Sequence, residues 1–142
     1  MATLKTNTLT GTTTAGSIAV TGEGNSTTTN LQQGLIKVWV NYDGSASGAA
    51  SRDSFNVSGM TDNGSGDYTT SFTNSMANTN YALLDGSVDD SSGRGSHLCG
   101  TNNTHATGSF RANYGVTGDA SGDGNIPNDM TLNGSAFVGD LA

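Results

Sequence analysis

Few residues of this chain carry atoms suited to metal or acid–base chemistry, and their spacing narrows what they can do. The run from Asp119 to Ile126 puts Asp119, Ser121 and Asp123 at positions 1, 3 and 5 of a loop, Gly124 at 6, Asn125 at 7 and Ile126 at 8. Alternating oxygens that converge, with a glycine at the sharp turn, are the pattern of a helix–loop–helix calcium site. The pattern departs at position 12, where Met130 stands in place of a bidentate carboxylate. Asp129 replaces it only if the loop runs one residue short. An Asp- and Gly-rich turn accounts for the same residues, so no metal is expected and this loop is the one calcium candidate. His97, Cys99 and His105 offer nitrogen and sulfur ligands, but zinc asks for four ligands, or three and a water, in recognisable pairs. His97-x-Cys99 has no second pair, and a single cysteine excludes an intrachain disulfide.

Catalytic constellations are equally sparse. Glu23 is the sole glutamate, and Gly44-Ser45-Ala46-Ser47-Gly48 has alanine where a nucleophile elbow needs serine. Neither a phosphate loop nor a dinucleotide fingerprint occurs. Asp62 and Asp67 fall among turn residues, where carboxylates cap backbone amides, whereas a glycosidase needs two carboxylates placed across a cleft. No enzyme activity and no cofactor are expected.

The elements that would position such residues read as strands. Between Arg52 and Leu84, Phe55 and Val57 share a face. Asp62-Asn63-Gly64-Ser65-Gly66-Asp67 then breaks the pattern, and Tyr68, Thr70 and Phe72 resume it at period two, followed by Tyr81 and Leu83. Apolar period-two runs cut by Gly and Asn clusters predict an antiparallel meander. Residues 34–42, GLIKVWVNY, form the strongest strand, with Ile36, Val38, Val40 and Tyr42 on one face and Leu35, Lys37 and Trp39 on the other. Further strands are predicted over 96–100, 107–116 and 130–138, the last with Met130, Leu132, Gly134, Ala136 and Val138 at period two. Seven or eight strands suffice for a β-sandwich or jelly-roll-like module. Trp39, Phe55, Tyr68, Phe72 and Tyr81 are the expected core anchors.

The ordered set Asn30-Leu31-Gln32-Gln33-Gly34-Leu35, Trp39, Arg52-Asp53-Ser54-Phe55-Asn56-Val57-Ser58, Thr61-Asp62 with Gly64 and Gly66, Tyr68, Phe72, Asn80-Tyr81 and the closing Gly139-Asp140-Leu141-Ala142 carries a resemblance. It resembles a domain of virion structural proteins of tailed bacteriophages, of the marine or cyanophage type, often labelled tail fibre. The likeness covers most of residues 17–90 and the extreme C-terminus, not 91–135. It implies a virion-surface location and supplies no catalytic residues.

Composition bounds the rest. Leu, Ile, Val and Phe together number 23 of 142 residues, about 16%, below the roughly 20% at which disorder becomes an issue in highly charged chains. Only 12% of residues are charged and the net charge is -7, so alternation and turns argue for a folded, thin-cored β protein. Such a core gains from burial shared between subunits, and a homotrimer is expected. Five Lys and Arg, widely separated, cannot track phosphates, so no nucleic acid is expected. No apolar run nears 18 residues and the N-terminus lacks a 7–15-residue apolar core, so neither a membrane span nor a signal peptide is expected.

Residues 1–30 are Thr-rich, and the first 22 hold Lys5 and no carboxylate. They are read as an extended attachment arm, in which Ser17-Ile18-Ala19-Val20-Thr21 adds a strand to a neighbour through main-chain hydrogen bonds, with Ile18 and Val20 as its apolar side chains. Residues 31–142 are the β-sandwich. The expectation is a non-enzymatic virion structural protein, made in the bacterial cytoplasm. It would be a small decoration, knob or short fibre held to capsid or tail by its arm, since 142 residues leave no room for a long shaft. The alternative is a receptor-binding tip that adheres to a host glycan or protein through loops 43–51, 85–95 and 117–128, which contain no aromatic residue.

Overall fold

The structure is a computed structural model and describes residues 3–14, 17–88, 96–98, 102–116 and 126–142. The chain divides into two compact units, Met1–Leu35 and Ile36–Ala142. In the first, β1 (Ala19–Thr21) pairs antiparallel with β2 (Thr28–Asn30). The Gly22 amide donates to the Thr27 carbonyl at 2.9 Å, Asn25 takes the left-handed φ of 54° that asparagine tolerates, and Leu31 N–H extends the ladder to Ile18 O at 2.8 Å. The segment bearing Ile18 and Val20 is therefore one side of a hairpin. Val20 is exposed, and among the described residues no strand takes the second edge of β1.

The second unit is an antiparallel β-sandwich, and no helix occurs among the described residues. One sheet runs β4 (Ala50–Phe55), β3 (Ile36–Asp43), β12 (Leu132–Val138), β7 (Ala82–Val88). The other is built on β10 (Ser109–Val116), which pairs with β6 (Asp67–Phe72); β6 in turn pairs with β5 (Val57–Gly64). Three short strands, β8 (Ser96–Leu98), β9 (Thr104–Ala106) and β11 (Ile126–Pro127), also pair with β10. Tyr114 N donates to Gly66 O at 2.6 Å and Tyr114 O accepts from Asn128 N at 3.2 Å. The N–H and C=O of one strand residue point to the same side, so β11 takes over the edge of β10 where β6 ends.

The chain passes from one sheet to the other at a single residue. Asn56 separates β4 from β5 with φ 58°. Its Nδ2 donates to Lys37 O and Asn74 O, both at 3.1 Å, and its Oδ1 accepts from Asn74 N at 2.7 Å and Asn74 Nδ2 at 2.9 Å. A side chain that tolerates left-handed backbone and fills four hydrogen-bonding roles fixes the corner. Phe55 and Val57, expected on one strand face, are split by it: Val57 packs against the core while Phe55 is 54% exposed. Phe55 is therefore not a core anchor.

Alternation decides the rest. On β3, Val38, Val40 and Tyr42 point inward and are fully buried, whereas Trp39 lies on the outer face, only partly covered. Trp39 is likewise not a core anchor. A bulge pairs Val138 with Ile36 and skips Lys37, which turns Ile36 from the expected inner row to the outer face. On β12 the inward residues are Asn133, Ser135 and Phe137, and the apolar set Leu132, Gly134, Ala136 and Val138 faces out. Tyr68, Phe72 and Tyr81 are buried in the core.

That core is an aromatic interlock between the sheets. Phe137 of β12 meets Phe72 of β6 at 5.2 Å, Phe110 of β10 at 5.4 Å and Tyr81 at 5.7 Å. Tyr42 of β3 meets Tyr68 at 5.3 Å and Tyr114 at 6.5 Å, both edge to face. These tilted and edge-on pairs align ring edges with ring faces. Phe137→Ala, which empties the centre of this cluster, is expected to cost about 3–5 kcal/mol in urea unfolding, and Phe55→Ala less than about 1 kcal/mol. Equal losses would contradict the assignment of Phe137 to the centre and Phe55 to the surface.

Candidate functional site

The outer face of the β4–β3–β12–β7 sheet is where exposed apolar groups gather. Among the described residues of this unit, six large apolar side chains are exposed. Ile36, Phe55, Leu84, Val88 and Leu132 lie on this one face, and Ile126 lies elsewhere. Register aligns them in rows. Phe55, Trp39, Ala136 and Leu84 are opposite one another across the four strands, and the next row is Asp53, Asn41, Gly134 and Gly86. Glycine on two adjacent strands leaves half of that second row without side chains, and a shallow groove of about 440 Å³ opens beside it. It is lined by Trp39, Asn41, Leu84 and Ala136 and by backbone-rich Gly134 and its neighbours.

Neither glycine is demanded by crowding. A Cβ on Gly86 would meet nothing within 4 Å, and one on Gly134 would lie 3.9 Å from Gly86 O, an ordinary contact. The fold therefore has room for a Cβ at either position, and its absence at Gly134, which lines the groove, keeps the trough open. Asn41 contributes an oddity: its Oδ1 is buried and has no hydrogen-bond partner, an uncompensated acceptor of a kind that folded proteins seldom keep.

The groove is held from beneath. Tyr114 Oη donates to Asp85 Oδ1 at 2.6 Å, Ser135 Oγ donates to the same oxygen at 2.8 Å, and the two hydroxyls lie 3.0 Å apart. This ties β7 and β12 to β10 in the opposite sheet. Asp85 keeps an exposed side at the sheet edge, yet burial of its carboxyl raises its pKa above the usual value, outweighing the two hydrogen bonds that lower it. Burial also raises the tyrosine hydroxyls, Tyr81 to about 12, so they remain donors at neutral pH. On the far sheet Asp67 shows the opposite behaviour: Arg111 grips it at 2.8 and 2.6 Å and holds its carboxyl below the usual range.

The metal candidates fare differently. Asp119, Ser121, Asp123 and Asn125 lie outside the described residues, as do Cys99 and parts of the loops 85–95 and 117–128. Asp129 is committed to the hairpin, where its Oδ1 accepts from Gly66 N at 2.7 Å and Tyr68 Oη at 2.6 Å. Gly66 sits at φ 67° with no room for a Cβ, which would lie 2.2 Å from Tyr114 O. His105 is stacked on Tyr81 at 4.8 Å and meets Phe110 edge-on at 4.9 Å. No group of three or more His, Cys, Asp or Glu able to hold a metal occurs among the described residues.

Alternation along the chain does not reveal this face, because Trp39 and Phe55 are the kind of residue expected to anchor a core. The available signal was that 34–42 is apolar on both sides. Comparison with protein-family models, with curated proteins and with solved structures finds no match for the chain.

A raised carboxyl pKa in the folded state contributes stability that is present below the unfolded value, about 3.9, and is lost as pH rises through the raised value. Asp85→Asn keeps an acceptor for Tyr114 and Ser135 and does not titrate. Its urea midpoint is expected to gain on that of the parent chain as pH rises from about 4 to 7. A constant offset would show that Asp85 is not held above its unfolded value.

Proposed function

We propose that this chain is a non-enzymatic structural protein of a tailed-bacteriophage virion. It serves as a small surface decoration, knob or short fibre, attached to capsid or tail through its N-terminal unit and associating with itself as a homotrimer. The observation that supports this reading most is the division of labour along the chain. A small N-terminal unit, with exposed Leu4, Leu9, Val20 and Leu35 and a hairpin edge left open among the described residues, precedes a β-sandwich with its own closed aromatic core. An open edge with exposed apolar side chains suits strand addition to a neighbouring protein. The sandwich contributes a rigid body, and its thin aliphatic content favours burial shared among copies.

Deleting residues 2–22 removes β1 and leaves every strand of the sandwich. The truncated protein is expected to keep its cooperative unfolding transition and to be absent from particles of the phage that encodes it. Normal incorporation of the truncated chain would overturn the arm as the attachment device. Light scattering on both forms reads the second part of the proposal: a trimer that survives truncation places self-association in the sandwich.

A further inference from the structure

We infer that the groove on the outer face of the β4–β3–β12–β7 sheet is a binding site for a neutral glycan chain, with Trp39 as its stacking platform. This site does not depend on where the protein resides. Four features of the face carry it. The first is an aromatic ring beside a trough. Pyranose C–H groups are polarised positive by the neighbouring oxygens, so one face of a sugar ring packs against the negative face of an indole. Trp39 is partly covered, lines the groove, and has Phe55 opposite it on β4 and Ala136 opposite it on β12.

The second feature is the polar row alongside. Asn41, which lines the groove, and Asp53 opposite it on β4 stand next to the aromatic row, where hydroxyls of a stacked sugar would reach for donors and acceptors. An apolar platform with a few polar groups is the usual make-up of a small-ligand site. The third is charge. Among the described residues that line the groove Asp85 alone is ionisable, its carboxylate turned inward to Tyr114. A chain of net charge -7 with no basic residue at the site disfavours an anionic ligand.

The fourth feature is size. Four strands at about 4.8 Å spacing and seven residues at about 3.3 Å rise give a face of roughly 450 Å². A stable protein–protein contact needs about 800 Å² per partner, so this face alone is small for a second copy. A trough floored by glycine also removes the central apolar knobs that a sheet-on-sheet contact would interdigitate. A few linked sugar rings match both the extent and the shape.

Trp39 is the sole tryptophan, so its emission reads the groove directly. The full chain is titrated with cello-, xylo-, malto- and N-acetylglucosamine hexasaccharides, with Trp39 fluorescence recorded, and affinity electrophoresis is run in gels carrying the corresponding polysaccharides. At least one neutral glycan is expected to shift the emission saturably and retard the protein. Gly134→Val places a branched side chain in the groove, where a Cβ has only an ordinary 3.9 Å contact to Gly86 O, and suits a strand. It should retain the unfolding midpoint and weaken binding by at least about tenfold, the loss of one central anchor. Trp39→Ala should abolish retardation in the gel. No response to any of the four glycans, or unchanged binding by a folded Gly134→Val, would overturn the site. A change of oligomeric mass in Gly134→Val without a glycan response would likewise overturn it, in favour of a contact between copies.

Discussion

The constraint on which this fold depends is the shortage of aliphatic side chains, and the response to it is aromatic interlock. Nine residues are Phe, Tyr or Trp, and seven of them, Tyr42, Tyr68, Phe72, Tyr81, Phe110, Tyr114 and Phe137, are buried between the sheets. Each aromatic buries more area than a branched aliphatic and gains from its ring geometry. A few large rings thus do what many leucines do in a richer core. The two sheets meet chiefly through these rings, and Phe137 touches three of the others.

Because four of the seven are tyrosines, the interior must also satisfy hydroxyls. Tyr68 donates to Asp129, Tyr114 to Asp85, and Tyr81 Oη lies within reach of the Ala106 and Ser109 carbonyls at 3.1 and 3.2 Å. The buried Ser135 follows from the same demand, since a hydroxyl in the core needs partners on the strand that faces it, while buried Asn133 donates to the Met130 carbonyl at 2.9 Å. This explains an inversion on β12. Its inner face carries Asn133, Ser135 and Phe137, and its outer face carries Leu132, Gly134, Ala136 and Val138.

That inversion marks the limit of what the sequence makes legible. Period-two spacing locates the long strands, and Asn and Gly clusters locate the hairpin at Gly64–Gly66 and the all-β class. Which face of a strand is inside depends on what the opposite sheet presents, and one strand's alternation does not contain that information. Trp39 and Phe55 are the clearest cases: each is the kind of residue that usually anchors a core, and each lies outside. Ile36 was lost to a one-residue bulge and Phe55 to the corner at Asn56, two local irregularities that shift a face without altering composition. The short strands β2, β9 and β11 carry no apolar signal, because they are held by main-chain pairing.

The placement of the two remaining aromatics bears on function. A chain this poor in apolar groups leaves Trp39 and Phe55 outside, adjacent, on the same face as Ile36, Leu84, Val88 and Leu132. Burying any of these would strengthen a thin core, so their exposure runs against the interest of stability alone. Gly86 and Gly134 point the same way: both positions have room for a Cβ, and a strand interior gains from a side chain. A face that forgoes stability at six apolar positions and two glycines has the make-up of a contact surface. The network of Asp85, Ser135 and Tyr114 beneath it then acquires a second consequence: it holds β7 and β12, the floor of the groove, against β10 of the opposite sheet.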